Sequence, residues 1–109
     1  MEIKKALSVP AEEADGAHKT TIRWLWGKAD GAHKFALRLI EVAPGGSTPH
    51  HSHPYEHEVY VLEGKVRLCG DAGEHLLEPG DTAFVQPSEV HQFVNAGDGV
   101  LRFLCGIPL

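Results

Sequence analysis

Four histidines crowd into eight positions of this chain, His50, His51, His53 and His57, within the stretch TPHHSHPYEHEVYVLEG that spans residues 48–64. Neutral imidazoles in such number either bind a first-row divalent metal or mark a polar loop that happens to be rich in histidine. Parity separates the members. Side chains alternate faces along an extended chain, and His51, His53 and His57 share odd numbers with Val59 and Val61, the apolar face of the same run. These three imidazoles are expected to turn inward with the valines, with Glu56, Glu58 and Tyr60 pointing away, unless Pro54 shifts the register. His50 has the opposite parity. It is either exposed or a group that orients a neighbouring ligand, and it exchanges roles with His51 if the register slips. A fourth inward imidazole, His91, opens the alternation His91, Phe93, Asn95 in PSEVHQFVN, residues 87–95.

Short strands must position these groups. Twelve glycines and seven prolines break the chain throughout, and the apolar runs between the breaks are rich in Val, Leu, Ile and aromatics, the pattern of an all-β sandwich or barrel. Strands are expected near 20–27, 35–43, 56–63, 65–70, 74–78, 82–86, 91–95 and 99–106, with a short N-terminal one near 3–8. Residues 10–18 are too polar and broken for a helix. Tight hairpins are expected at Glu63–Gly64, at residues 70–73, at residues 78–81 with Pro79 and Gly80 in a type II turn, and at residues 95–99 with left-handed glycines. About eight short antiparallel strands with such turns suit a jelly roll. The hexapeptide ADGAHK occurs at 14–19 and 29–34. It is far shorter than an architectural repeat, so it reads as two similar Asp-Gly turns with His18 and His33 on the surface.

Composition excludes several roles. A length of 109 residues argues for one domain, residues 1–109. A net charge of −5 lacks the basic face that phosphate binding needs, so nucleic acid is not an expected partner. No basic amphipathic stretch or long apolar run suggests a membrane. Cys69 and Cys105 form no C-x-x-C pair, which suits a reduced, cytoplasmic protein.

The residues around the histidines resemble the cupin superfamily. In GGSTPHHSHPYEHEVYVLEG, residues 45–64, five residues separate Gly45 from His51, and His51 and His53 supply the motif's H-x-H. Counting back from Gly64 places the usual Glu ligand at His57; Glu58 would be a frame-shifted substitute, which both parity and the Gly64 anchor disfavour. In GDTAFVQPSEVHQFVN, residues 80–95, Gly80, Pro87, His91 and Asn95 occupy the landmarks of the second motif. This stretch departs from the motif in having six residues between Gly80 and Pro87 and a shortened Pro-to-His interval with Glu89 in place of Gly.

The resemblance is strongest to small microbial cupins of the manganese type with four His ligands. It implies a double-stranded β-helix, or jelly-roll barrel, with one divalent metal held by His51, His53, His57 and His91. Manganese is favoured among Mn, Fe, Ni, Zn, Cu and Co. It implies two open metal positions and a small organic substrate. Four neutral ligands keep the full +2 charge, which strengthens Lewis acidity and attraction for an anionic chelate. Tyr55 at the entrance, with Phe93, Phe103 and Cys105 in the walls, is expected to shape the pocket, although a buried Cys is more often a small core residue. Arg38, in FALRLIEV, is expected either to pair with a substrate carboxylate or to face solvent. Trp24 and Trp26 read as core or subunit packing, and His75 as a solvated strand residue. A metal-dependent oxidoreductase, a dioxygenase or peroxide-using oxygenase helped by Arg38 or His50, is the first reading. A non-redox isomerase, cyclase or lyase is the second, and a non-catalytic binding module the third. A homodimer is expected, with EIKKAL adding to a neighbour's sheet edge.

Overall fold

The computed structural model describes residues 1–71 and 73–109. The chain runs through β1 (Glu12–Glu13), β2 (His18–Trp26), β3 (Phe35–Ser47), β4 (His57–Glu63), β5 (Val66–Gly70), β6 (Gly73–Leu77), β7 (Thr82–Val85), β8 (His91–Asn95) and β9 (Leu101–Pro108). These strands form an antiparallel sheet in the order β6-β5-β8-β3-β9-β4-β7, with β2 also paired to β3 and β1 to β2. The expected all-β jelly-roll barrel is the fold observed. Among the described residues, no helix is long and apolar enough to cross a membrane.

The period-two pattern sets which side chains fill the barrel. His57, Val59 and Val61 on β4 are buried, whereas Glu58, Tyr60 and Leu62 are exposed. On β9 the alternation Leu101, Phe103, Cys105, Ile107 is buried, and on β8 so are His91, Phe93 and Asn95. The parity expected for His57 is therefore the one observed. Rings of Phe93 and Phe103 stack with centroids 4.8 Å apart, and this pair sits among the core residues beneath the imidazoles.

β3 serves both halves of the barrel because it bends. Its body pairs with β2 on one edge and β9 on the other, and its last residue, Ser47, pairs with Val94 of β8. The corner lies at Gly45 and Gly46. A Cβ on Gly46 would lie 2.7 Å from the His18 carbonyl oxygen, so only glycine lets the backbones approach so closely.

Several local expectations are corrected. Residues 3–8 form no strand: Ala6–Ser8 is a 3-10 turn, and Lys4 reaches back to the Leu25 carbonyl at 2.9 Å and to Asp30 at 2.7 Å. Its ammonium lies 4.4 Å from the Trp26 ring centroid. These bonds fold the N-terminal segment onto its own β2. Of the four expected hairpins, only the one after Gly70 joins paired strands, β5 and β6, with Gly70 opposite Gly73; position 72 of that expected turn lies outside the described residues. Gly64 leads from β4 to β5, Gly80 from β6 to β7, and residues 96–100 from β8 to β9, and each of these pairs is separated in the sheet. Jelly-roll connections jump across the barrel, which turn chemistry alone does not reveal. Gly80 does adopt the expected left-handed conformation, φ 93°, with Asp81 N–H donating to the Glu78 carbonyl at 3.0 Å. Gly97 and Gly99 do not. Their loop is held by Asn95, whose amide donates to the carbonyls of Val42 and Gly99, both at 2.9 Å, and whose oxygen accepts the Gly97 N–H at 2.9 Å. Both copies of ADGAHK sit in or beside turns, as expected.

Candidate metal centre

Two pieces of chain build the centre. The segment before β4 carries His51 and His53, β4 begins with His57, and β8 begins with His91. Reciprocal backbone bonds staple the two pieces: His91 N–H donates to the His51 carbonyl at 2.9 Å, and His51 N–H to the His91 carbonyl at 3.2 Å. Ser88 N–H adds a bond of 2.7 Å to the His53 carbonyl. Ser88 takes a left-handed φ of 66°. Its turn is closed by Glu89, whose N–H donates to the Gln86 carbonyl at 3.2 Å and whose carboxylate accepts the Gln86 N–H at 3.0 Å. That closure shows how the shortened stretch between Pro87 and His91 still delivers His91 inward.

Ligand nitrogens of His51, His53 and His91 lie within 4.8 Å of one another, a grouping able to hold a metal ion. The four rings form one cluster. His57 lies 4.5 Å from His53 and 5.1 Å from His91 between centroids, and its Nε2 is 2.6 Å from Nε2 of His53. Hydrogen bonding shows which nitrogens are free. His53 Nδ1 donates to the Tyr55 carbonyl and His91 Nδ1 to the Glu89 carbonyl, both at 2.8 Å. A carbonyl only accepts, so each Nδ1 carries the proton and each Nε2 keeps its lone pair. This is the tautomer that a metal-ligating histidine needs, and the donor set fits a divalent transition ion.

The electrostatics favour neutral imidazoles. Burial pushes His57 down to about 3, assisted by the Arg38 guanidinium. Burial also lowers His51 and His53, as does the neighbouring His91 in each case. Proton competition for these lone pairs is thereby weakened. Burial raises the Cys105 thiol despite the pull of Arg38.

The imidazoles open onto a cleft of about 130 Å³, lined also by Arg38, Tyr55 and Phe93. That is smaller than the ~300–1,000 Å³ typical of sites for drug-sized ligands, so it has room for one end of a larger molecule or for a small molecule whole. Tyr55 stacks on His53 with ring centroids 3.9 Å apart. His50 is exposed and outside the cleft lining. Phe103 and Cys105 are fully buried and stand behind the lining. Glu58 points outward, on the opposite face of β4 from His57, where a hydrogen bond with Glu56 raises its carboxyl above the usual range.

Arg38 is only 8% exposed. Among the described residues it makes no ion pair, and its Nε has no hydrogen-bond partner. Nη2 meets Cys105 Sγ at 3.0 Å, and the guanidinium carbon lies 5.4 Å from the Trp24 ring centroid. Sequence reasoning missed Ala14, Asp15, Thr20, Thr48 and Pro49, which also line the cleft. The only signal for Asp15 was its place in the first ADGAHK copy. A larger depression of about 1120 Å³ lies on the outer face beside Phe35, Tyr60 and Phe84 and contains none of the histidines.

The fold is that of a cupin. The cupin domain family matches residues 38–107, and the chain belongs to that family. Among solved structures it is similar to the polyketide cyclase RemF from Streptomyces resistomycificus, at 41% identity and a TM-score of 0.93, over 99% of this chain and 79% of that one. It also resembles a sugar phosphate isomerase of the cupin superfamily from Silicibacter pomeroyi, at 33% identity and a TM-score of 0.75, over 84% of this chain and 60% of that one. The tetracenomycin polyketide synthase protein TcmJ of Streptomyces glaucescens is 33% identical over 60 residues, 54% of this chain and 40% of that protein. The chain spans about half the length, or less, of the curated relatives it matches.

Proposed function

We propose that this cupin is a metal-dependent cyclase that closes a ring on a poly-β-keto substrate without consuming an oxidant. The observation that carries this reading is the convergence of four imidazoles, two with Nε2 left unprotonated by carbonyl bonds to Nδ1, beside an ion-pair-less buried arginine in one cleft. His51, His53, His57 and His91 would hold the ion. A divalent ion with four neutral ligands supplies an undiminished +2 charge that polarises a carbonyl and stabilises the enolate derived from it.

The chain's own groups supply the rest. Arg38, buried without a carboxylate, is suited to bind an anionic oxygen, either an enolate or a carboxylate of the substrate. Asp15 and Tyr55 line the same cleft and are the groups available to move the proton between carbon and oxygen. Phe93 closes the inner wall and excludes water. The similarity to RemF over almost the whole chain supports a cyclase. On that support we put the non-redox reading ahead of the oxygenase that the sequence pattern put first.

The test is a reaction of the metal-loaded protein with a synthetic poly-β-ketone, with and without oxygen, and again after treatment with a chelator. Equal ring closure in air and under argon, lost after chelation, is expected. Oxygen consumption in step with product would return the assignment to an oxygenase, and tight ligand binding without turnover would favour a binding module.

A further inference from the structure

Cys105 is fully buried and has no part in the chemistry just described. Its surroundings are nonetheless polar. His57 Nδ1 lies 2.7 Å from its sulfur, and Arg38 Nη2 lies 3.0 Å from the same sulfur and 3.5 Å from His57 Nδ1. Three buried groups on three adjacent strands, β3, β4 and β9, therefore share one small triangle.

This arrangement differs from those behind the other ligands. His53 and His91 each face a carbonyl, which can only accept, so their protons are fixed on Nδ1. His57 faces a thiol, which both donates and accepts, and a guanidinium, which only donates. Left alone with Arg38, Nδ1 of His57 would serve as the acceptor. The proton would then sit on Nε2, the nitrogen directed at His53, and the lone pair would be lost from the cluster.

We infer that Cys105 is a positioning residue: its sulfur accepts the hydrogen bonds of Arg38 and of His57 Nδ1–H together, and so holds the Nε2 lone pair of His57 on the metal cluster. The sulfur lies behind the imidazole, on its Nδ1 side, and touches neither ion nor substrate. This inference rests on the four-imidazole metal reading proposed above. The competing account is a small core residue between Phe103 and Ile107 on β9, which would matter for packing alone.

The experiment is titration of chelator-treated protein with Co²⁺ and Zn²⁺ against a competing chelator, reading affinity and the visible Co²⁺ spectrum, with unfolding followed separately. The variants are Cys105→Ser, Cys105→Ala, Cys105→Val, His57→Ala and Cys105→Ala with Arg38→Met. Serine can accept both bonds and is expected to bind within about 3-fold of the unsubstituted protein. Alanine and valine are expected to lose about 10–100-fold, the usual effect of removing an outer partner of a metal-bound histidine, and to shift the cobalt spectrum toward that of His57→Ala. Removing the competing donor as well, in Cys105→Ala with Arg38→Met, is expected to recover most of the loss. A purely packing role predicts no such rescue, and valine, which fills the space, separates affinity from folding. Unchanged affinity in Cys105→Ala and Cys105→Val, or equal loss in serine and alanine, overturns the inference while leaving the metal centre intact. Absence of binding by the unsubstituted protein overturns both.

Discussion

Tyr55 holds His53 in two ways: its carbonyl accepts the His53 Nδ1 proton at 2.8 Å, and its ring stacks on the imidazole with centroids 3.9 Å apart. The carbonyl bond is independent of residue type, but the stack is not. Tyr55→Ala is expected to retain the metal with affinity reduced by roughly 10-fold, toward the low end for lost outer partners. Tyr55→Phe is expected to bind normally. Chelator competition measures both.

Register decides which residue of β4 faces the cluster. His57 is 7% exposed and Glu58 lies on the outer face. Metal content of tag-free protein, determined by mass spectrometry, is expected to stay near one equivalent in Glu58→Ala and His50→Ala. In His57→Ala the affinity should fall by more than the roughly 100-fold that an outer partner can cost. Loss confined to Glu58→Ala would mean that the ligand set contains a carboxylate.

Asn95 is a structural residue beside the site. Its side chain satisfies two carbonyls and one N–H across β3 and the loop before β9. Replacing it with Leu leaves buried polar groups unpaired, at about 1–3 kcal/mol for each group that water cannot reach. A fall of that order in urea-unfolding stability is expected, with the metal still bound.

Gly64→Ala tests the close approach between strand ends. Gly64 has φ of 84°, and a Cβ there would lie 2.6 Å from the Val100 carbonyl oxygen. Left-handed strain alone costs about 1–3 kcal/mol, and the backbone contact adds to it. The thermal midpoint should fall by several degrees; an unchanged midpoint would show that the β8–β9 loop yields freely.

Glu41 gives the fold a dependence on acid. Burial acts to raise its carboxyl, but hydrogen bonds from Arg102 and Arg23 outweigh it and hold the group below the usual carboxylate range. The contacts are 2.8 Å to Arg102 Nε and 2.6 Å to Arg23 Nε. A lowered value stabilises the folded state above the unfolded carboxyl's ordinary range and loses that contribution as pH falls through the folded one. Glu41→Gln is expected to cost about 1–2 kcal/mol at neutral pH, with the difference shrinking below about pH 4. Parallel denaturation curves at pH 7 and pH 3.5 test the sign.

Strand positions and inward faces were legible because burial imposes a period of two, as His57, Val59 and Val61 illustrate. The motif also pointed to all three histidines of the close grouping, His51, His53 and His91. Connectivity was not legible. Gly64 and Gly80 mark turns in the sequence, but no local signal says that the flanking strands part company in the sheet. Nor could spacing bring Arg38 to Cys105 and His57. That meeting depends on the registers of β3 with β9 and of β9 with β4, where Arg38 pairs with Cys105 and Cys105 with Val59. The N-terminal segment, expected as a short strand near 3–8, forms none, because Lys4 and Arg23 draw it into bonds with β2.

The imidazoles are divided three to one along the chain, with His51, His53 and His57 on one short segment and His91 contributed by β8. An unfolded chain therefore already carries a chelating peptide, and folding adds only the last tooth of the claw. The stabilisation gained from an ion is set by the difference between its affinities for the folded and unfolded forms. Here that difference is narrowed from the start. If the four imidazoles hold an ion as proposed, a nascent chain would offer three of them before the barrel closes, and the ion carried would then depend on metal supply during synthesis as well as on the finished pocket.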